Sequence, residues 1–179
     1  MDMNKKKFNK NKGILFWVTG LSGSGKTSIS KKIIKDIRQE FGSTLLVSGD
    51  DLRKIFGFNK YDSKSRILLS KKFCKFAKFI TNQNINLIFA IVGLMNEPRK
   101  WNKKNIENYV EIYIKSDLKK IIKLGKKRIY KSIKKEKIVG VNIPPEFPKK
   151  PDIIINNNFS KNTNQLSREL FKKIKKIYL

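Results

Sequence analysis

GLSGSGKT, Gly20 to Thr27, directly follows the apolar run Ile14–Thr19 and leads into Lys26–Phe41, whose apolar residues recur at three- and four-residue spacing. The stretch satisfies every fixed position of the pattern G-x-x-x-x-G-K-[ST], and it does so between a strand and a helix, where that pattern has a mechanism. Glycines permit a turn whose backbone N–H groups point inward around a phosphate. The lysine then reaches the outer phosphates, and the hydroxyl that follows can ligate Mg²⁺. The loop therefore predicts a nucleotide site built from Gly20, Leu21, Ser22, Gly23, Ser24, Gly25, Lys26, Thr27 and Ser28. Lys26 is also expected to act on the transferred group, and Thr27 to hold the metal.

Outward from the loop, short apolar runs alternate with amphipathic stretches. Ile14–Thr19, Thr44–Val47, Asn86–Val92, Tyr109–Ile114 and Asp152–Ile155 read as strands whose Ile, Val and Leu content suits a parallel sheet. Lys26–Phe41, Lys64–Thr81, Leu118–Lys134 and Thr163–Ile177 read as helices. This alternation predicts an α/β fold of the P-loop NTPase type, a doubly wound parallel sheet of about five strands with helices on both faces. The 179 residues fit a single domain, with residues 1–12 as a basic N-terminal tail. IPPEFPKKP, Ile143–Pro151, reads as a surface loop before the last strand.

A second stretch, LLVSGDDLRKIFGF from Leu45 to Phe58, puts two carboxylates together at a strand end in a chain with 14 acidic and 42 basic residues. Residues just past the carboxyl ends of parallel strands share one crevice, so Asp50 and Asp51 are expected near the bound phosphates. A carboxylate there can accept a proton from an attacking hydroxyl or organise Mg²⁺, and Asp can equally cap the next helix. Asp50 is read as the catalytic and metal-organising residue. Asp51 is kept with the substrate-binding residues and is also the better cap candidate, while Arg53 is placed to meet a further anionic group.

A net charge of +28 without histidine would ordinarily suggest nucleic acid or an anionic membrane surface. Lys, Asn and Ile are over-used throughout, however, including at solvated helix positions such as Lys31, Lys32 and Lys35, which points to compositional drift. No RNA-binding signature with interleaved aromatics is present, so the expected partner is a small nucleotide rather than nucleic acid. Phe73, Phe76 and Phe79 read as core, and Trp101 as packing. Cys74, the single cysteine, can form no internal disulfide and reads as a packed thiol in a reducing compartment. Ile14–Val18 is too short for a signal-peptide core, and no run approaches about 20 apolar residues, so a cytoplasmic protein without a membrane span is expected.

Taken in order, GLSGSGKT, GDDLR, FGF at Phe56–Phe58 and GVNIPPEFPKKPDIIIN at Gly140–Asn156 resemble the adenylylsulfate kinases, a likeness that covers Leu15–Asn156. The resemblance implies ATP as phosphoryl donor, Mg²⁺ as its metal, and transfer to the 3′-hydroxyl of adenylyl sulfate. It further implies that Asp50 is base or Mg²⁺ organiser, that Arg53 binds the acceptor phosphate, and that Phe58 stacks on the acceptor base. Residues 115–137 would form a helical lid over ATP, and the assembly would be a homodimer.

The departures from that family bear on acceptor recognition more than on the ATP chemistry. Ser48 stands where the first Asp of D-G-D is usual, and Asp51 where Asn is usual. D-R-x-x-N becomes Asp62, Ser63 and Arg66, and I-S-P-Y-R becomes VGLMN, Val92–Asn96. A second stacking aromatic is replaced near Ile138 or Val139, and the Arg-Asp pair at the lid start becomes Leu124 and Gly125. Arg66, Ile138 and Val139 are thus assigned to the acceptor pocket, while Lys126, Lys127 and Arg128 remain to stabilise developing charge. Changed polar contacts can select another nucleotide. The alternative reading is a sister kinase acting on a cytidine diphosphate conjugate, such as the cytidine diphosphoramidate of capsular polysaccharide biosynthesis. NEPRKWNKKN, Asn96–Asn105, resembles that branch, and its Arg99 and Trp101 could line the pocket. Two weaker readings are a nucleic-acid-binding P-loop module, which would lose affinity steeply with salt, and an inactive kinase, which Lys26, Thr27 and Asp50 oppose.

Overall fold

The computed structural model describes residues 6–58, 62–125 and 138–178. Five parallel strands, β1 (Leu15–Thr19), β2 (Thr44–Ser48), β3 (Asn86–Ala90), β4 (Tyr109–Lys115) and β5 (Ile153–Asn156), form one sheet in the order β2-β3-β1-β4-β5. Every neighbouring pair is parallel; β1 runs alongside β3 from Leu15↔Leu87 and alongside β4 from Leu15↔Tyr109. The six helices among the described residues are α1 (Lys26–Phe41), α2 (Gly49–Ile55), α3 (Ser63–Asn82), α4 (Asn96–Asn105), α5 (Leu118–Lys123) and α6 (Thr163–Tyr178). This is the doubly wound P-loop architecture that the alternation of runs predicts.

Strand β1 is buried at every position, and its side chains alternate between two cores. Phe16 and Val18 pack with Ile29, Ile33 and Ile37 of α1 and with Leu166, Leu170 and Ile174 of α6. Leu15 and Trp17 face the opposite layer, where Leu69, Phe73, Cys74, Ala77 and Ile80 of α3 lie beside Leu87 and Phe89 of β3. Helices thus cover both faces, and the sheet's carboxyl ends are left to form the crevice.

Several expectations need correction. Helix α2 enters the sequence reading only as the helix that an adjacent aspartate would cap, and α4 is not among the expected helices; only Gly49 and Leu52 of α2, and Pro98, Arg99 and Asn102 of α4, are buried. The helix expected over Leu118–Lys134 stops at Lys123, where Leu124 is the C-cap and Gly125 takes φ 58, a left-handed turn that ends a helix. Most of the expected lid, with Lys126, Lys127 and Arg128, lies outside the described residues. Edge strands β2 and β5 are only half covered, leaving Leu45 and Ile154 exposed. Phe79 also faces solvent, at 63% exposure, rather than the core. The N-terminal tail is docked from Lys6 onward. Lys6 donates its backbone N–H to Ile177 O, Phe8 stacks on Tyr178, and Lys6 pairs with Asp152 at 2.7 Å.

Candidate active site

The crevice at the carboxyl ends of the strands is a cavity of about 940 Å³. Its central element is the loop between β1 and α1, where Gly20, Gly23 and Gly25 have φ values of 151, 78 and 95. At Gly20 a Cβ would meet Ile114 O at 2.5 Å, so the backbone passes too close to β4 for any side chain. Ser22, Gly23, Gly25, Lys26, Thr27 and Ser28 line the cavity, whereas Gly20, Leu21 and Ser24 form the loop's buried underside. The Lys26 ammonium donates to Leu21 O at 2.7 Å, which holds it against the loop.

Beside this loop, Ser48 and Asp51 form a reciprocal cap on α2. Asp51 N donates to Ser48 Oγ at 3.1 Å, and Ser48 N donates to Asp51 Oδ2 at 3.2 Å. The Ser48 hydroxyl donates to the same carboxylate at 2.6 Å. Ser48, not an aspartate, is therefore the N-cap, and Asp51 occupies the third helical position of a capping box. Asp50, Asp51, Arg53 and Arg66 all line the cavity, so the structure brings together the acids and cations singled out in the sequence.

Ile138 and Val139 also line it, and they join Leu21, Leu94 and Phe159 in a third apolar cluster. Phe58 is placed differently. Its carbonyl accepts from Arg53 Nη1 at 3.2 Å, its ring lies 5.9 Å from Phe56 with the Lys72 ammonium 5.1 Å above it, and it is not among the cavity-lining residues. Trp101 packs against the α3 layer, and Arg99 is 5% exposed within an ion pair; neither lines the cavity.

Gly93, Leu94 and Met95, part of the VGLMN segment that the family comparison of motifs marks as altered, line the cavity after β3, whereas the group from Asn157 through Phe159 to Thr163 after β5 was missed in the sequence. Asn157 donates its side-chain amide to Ser24 O at 3.0 Å and accepts from Phe159 N at 3.0 Å, tying the phosphate loop to the turn after β5. Phe159 has φ 67, a left-handed conformation unusual for a bulky residue and often associated with function. The rule that singled out Asp50, position just past a parallel strand, could have found all of these.

Because β1 is central, the crevice has two halves. Strands β2 and β3 deliver Asp50, Arg53 and the 93–95 loop on one side, while β5 delivers Asn157 and Phe159 on the other. Sheet order, glycine loop and flanking charges together define a P-loop nucleotide-binding protein. Residues 12–156 match the sequence profile of the adenylylsulphate kinase family. A Campylobacter jejuni subsp. jejuni protein, cytidine diphosphoramidate kinase, is 36% identical over 92% of this chain and 98% of its own length. The adenylyl-sulfate kinase of Clostridium acetobutylicum is 31% identical over 85% of this chain and 78% of its own. The structure of the Mycobacterium tuberculosis APS kinase CysC in complex with AMPPNP and APS superposes with a TM-score of 0.81 at 19% identity, covering 92% of this chain and 98% of that one. The chain belongs to the adenylylsulphate kinase family and is an ATP-dependent phosphotransferase. Among the described residues, no helix is long and apolar enough to cross a membrane.

Proposed function

We propose that the chain transfers the γ-phosphoryl group of ATP to a sugar hydroxyl of a cytidine diphosphate conjugate, with cytidine diphosphoramidate as acceptor. One observation carries this reading: the 36% identity, end to end, with the Campylobacter kinase of that name. Two of the sequence departures from the adenylyl-sulfate kinases support it, Arg66 and the 92–95 segment, because they line the crevice that also holds Asp50. The adenylyl sulfate reading remains supported at the level of the family.

Lys26 and the loop amides hold the β- and γ-phosphates. Asp50, exposed at the start of α2, accepts the proton of the attacking hydroxyl or holds Mg²⁺; Arg53 and Arg66 meet the acceptor's phosphates. Among the described residues no group of three or more His, Cys, Asp or Glu surrounds a metal position. That suits Mg²⁺, which takes few protein ligands beside water and phosphate oxygens; Thr27 and Asp50 are the residues that would hold it. When bound, it neutralises charge on the transferring group. A cytoplasmic location and a homodimer belong to the same reading, supported by the family resemblance.

The test is coupled ADP release with Mg-ATP and each acceptor in turn. We expect kcat/KM for cytidine diphosphoramidate to exceed that for adenylyl sulfate by about a hundredfold, the scale that polar-contact discrimination readily supplies. Turnover with adenylyl sulfate alone would overturn the assignment.

A further inference from the structure

We propose that Arg99 and Glu111 are positioning residues for the acceptor: a buried ion pair that sets the backbone of the loop forming the acceptor-side wall of the crevice. The side chains are only 6% and 13% exposed, and Arg99 Nε lies 2.9 Å from Glu111 Oε1. The other arms of the guanidinium reach the loop after β3, Nη1 donating to Gly93 O at 3.2 Å and Nη2 to Asn96 Oδ1 at 2.7 Å. A single planar fork thus links the middle of β4 to both ends of the 93–96 segment.

The segment is held from the outside as well. Glu146 N donates to Leu94 O at 3.0 Å, and the Glu146 carboxylate accepts from Asn96 N. Gly93 itself has φ 49, and a Cβ there would lie 3.0 Å from Ile91 Cγ2 and 3.2 Å from Trp17 Nε1. Backbone this tightly fixed is also backbone that lines the cavity, through Gly93, Leu94 and Met95.

Stability alone does not account for the pair. Burying two charges costs desolvation that their attraction need not repay, and apolar side chains of similar volume commonly stabilise such a site as well or better. Burial raises the Glu111 carboxyl above its ordinary range despite Arg99 beside it, as expected of a charge held there at a cost. The return is placement: a guanidinium can grip a carbonyl and an amide oxygen that a methyl group cannot. The inference rests on the proposed function in one respect, that the half of the crevice beside Asp50 receives the acceptor.

The informative variant removes both charges, Arg99→Met with Glu111→Leu, because removing one would strand the other. We expect it to melt within a few degrees of the wild type and to bind ADP, measured by calorimetry without acceptor, with an unchanged dissociation constant. Amide hydrogen exchange across residues 92–96 should quicken at least tenfold, and the acceptor KM should rise at least tenfold with the ATP KM unmoved. Arg99→Lys, which keeps one charge but cannot span three partners, should show the same split more weakly. An unchanged acceptor KM in either folded variant, unchanged exchange in the loop, or an equal loss of ADP affinity would overturn the proposal. Wild-type turnover with adenylyl sulfate alone would instead overturn the acceptor assignment, and the variants would then be assayed with that acceptor.

Discussion

The Asp51 carboxylate accepts a hydrogen bond from the Ser48 hydroxyl at 2.6 Å, so one member of the acidic pair is committed to the start of α2. Asp50, its neighbour, lines the crevice without a place in that capping box. The two adjacent acids therefore predict opposite phenotypes. Asp50→Asn should lower kcat by about a hundredfold or more, the scale of general acid–base or metal-organising roles, with ADP affinity nearly intact. Asp51→Ala should cost about 1 kcal/mol of stability, as loss of a helix cap does, and leave kcat within a few-fold. Steady-state kinetics paired with thermal melts separate these outcomes; a full-activity Asp50→Asn enzyme would remove Asp50 from the chemistry.

Asn157 should behave as part of the ATP site although it is remote in sequence. It holds Ser24 O and Phe159 N together, each at 3.0 Å. Losing these two hydrogen bonds, one buried and one partly buried, at about 1 kcal/mol each should loosen the loop. Asn157→Ala is expected to raise the ATP KM about tenfold while leaving the acceptor KM unchanged, a split that initial-rate kinetics with each substrate varied would reveal.

Cys74 should be chemically silent. Its side chain is buried, and burial first, then the nearby Glu97 carboxylate, pushes the thiol up from 9.0 to about 12. The thiolate is the reactive form, so iodoacetamide at pH 8 should label the native protein only as fast as it unfolds, and the denatured protein at once. Because the folded pKa is raised, this group's contribution to stability is complete below pH 9 and disappears as the pH climbs through about 12. Mass spectrometry of pulse-labelled protein would check the labelling; rapid native alkylation would contradict the burial.

By itself, the sequence determined the sheet and its nucleotide loop. Strand runs such as LFWVT and the loop that follows are local patterns, and burial on both faces or a tight phosphate turn leaves few residue choices at each position. The placement of Asp50 was also legible, because a parallel strand fixes which end faces the crevice. Tertiary structure alone decided the rest. α4 carries no apolar stripe, so nothing local marked it as a helix or Arg99 as buried; the guanidinium is held inside because Glu111, on β4, comes to meet it together with Gly93 O and Asn96 Oδ1. Asn157 lies 133 positions from the loop carbonyl it holds, and no periodicity records a bond of that span. Partners brought together by sheet order, rather than by spacing along the chain, set the geometry of the site.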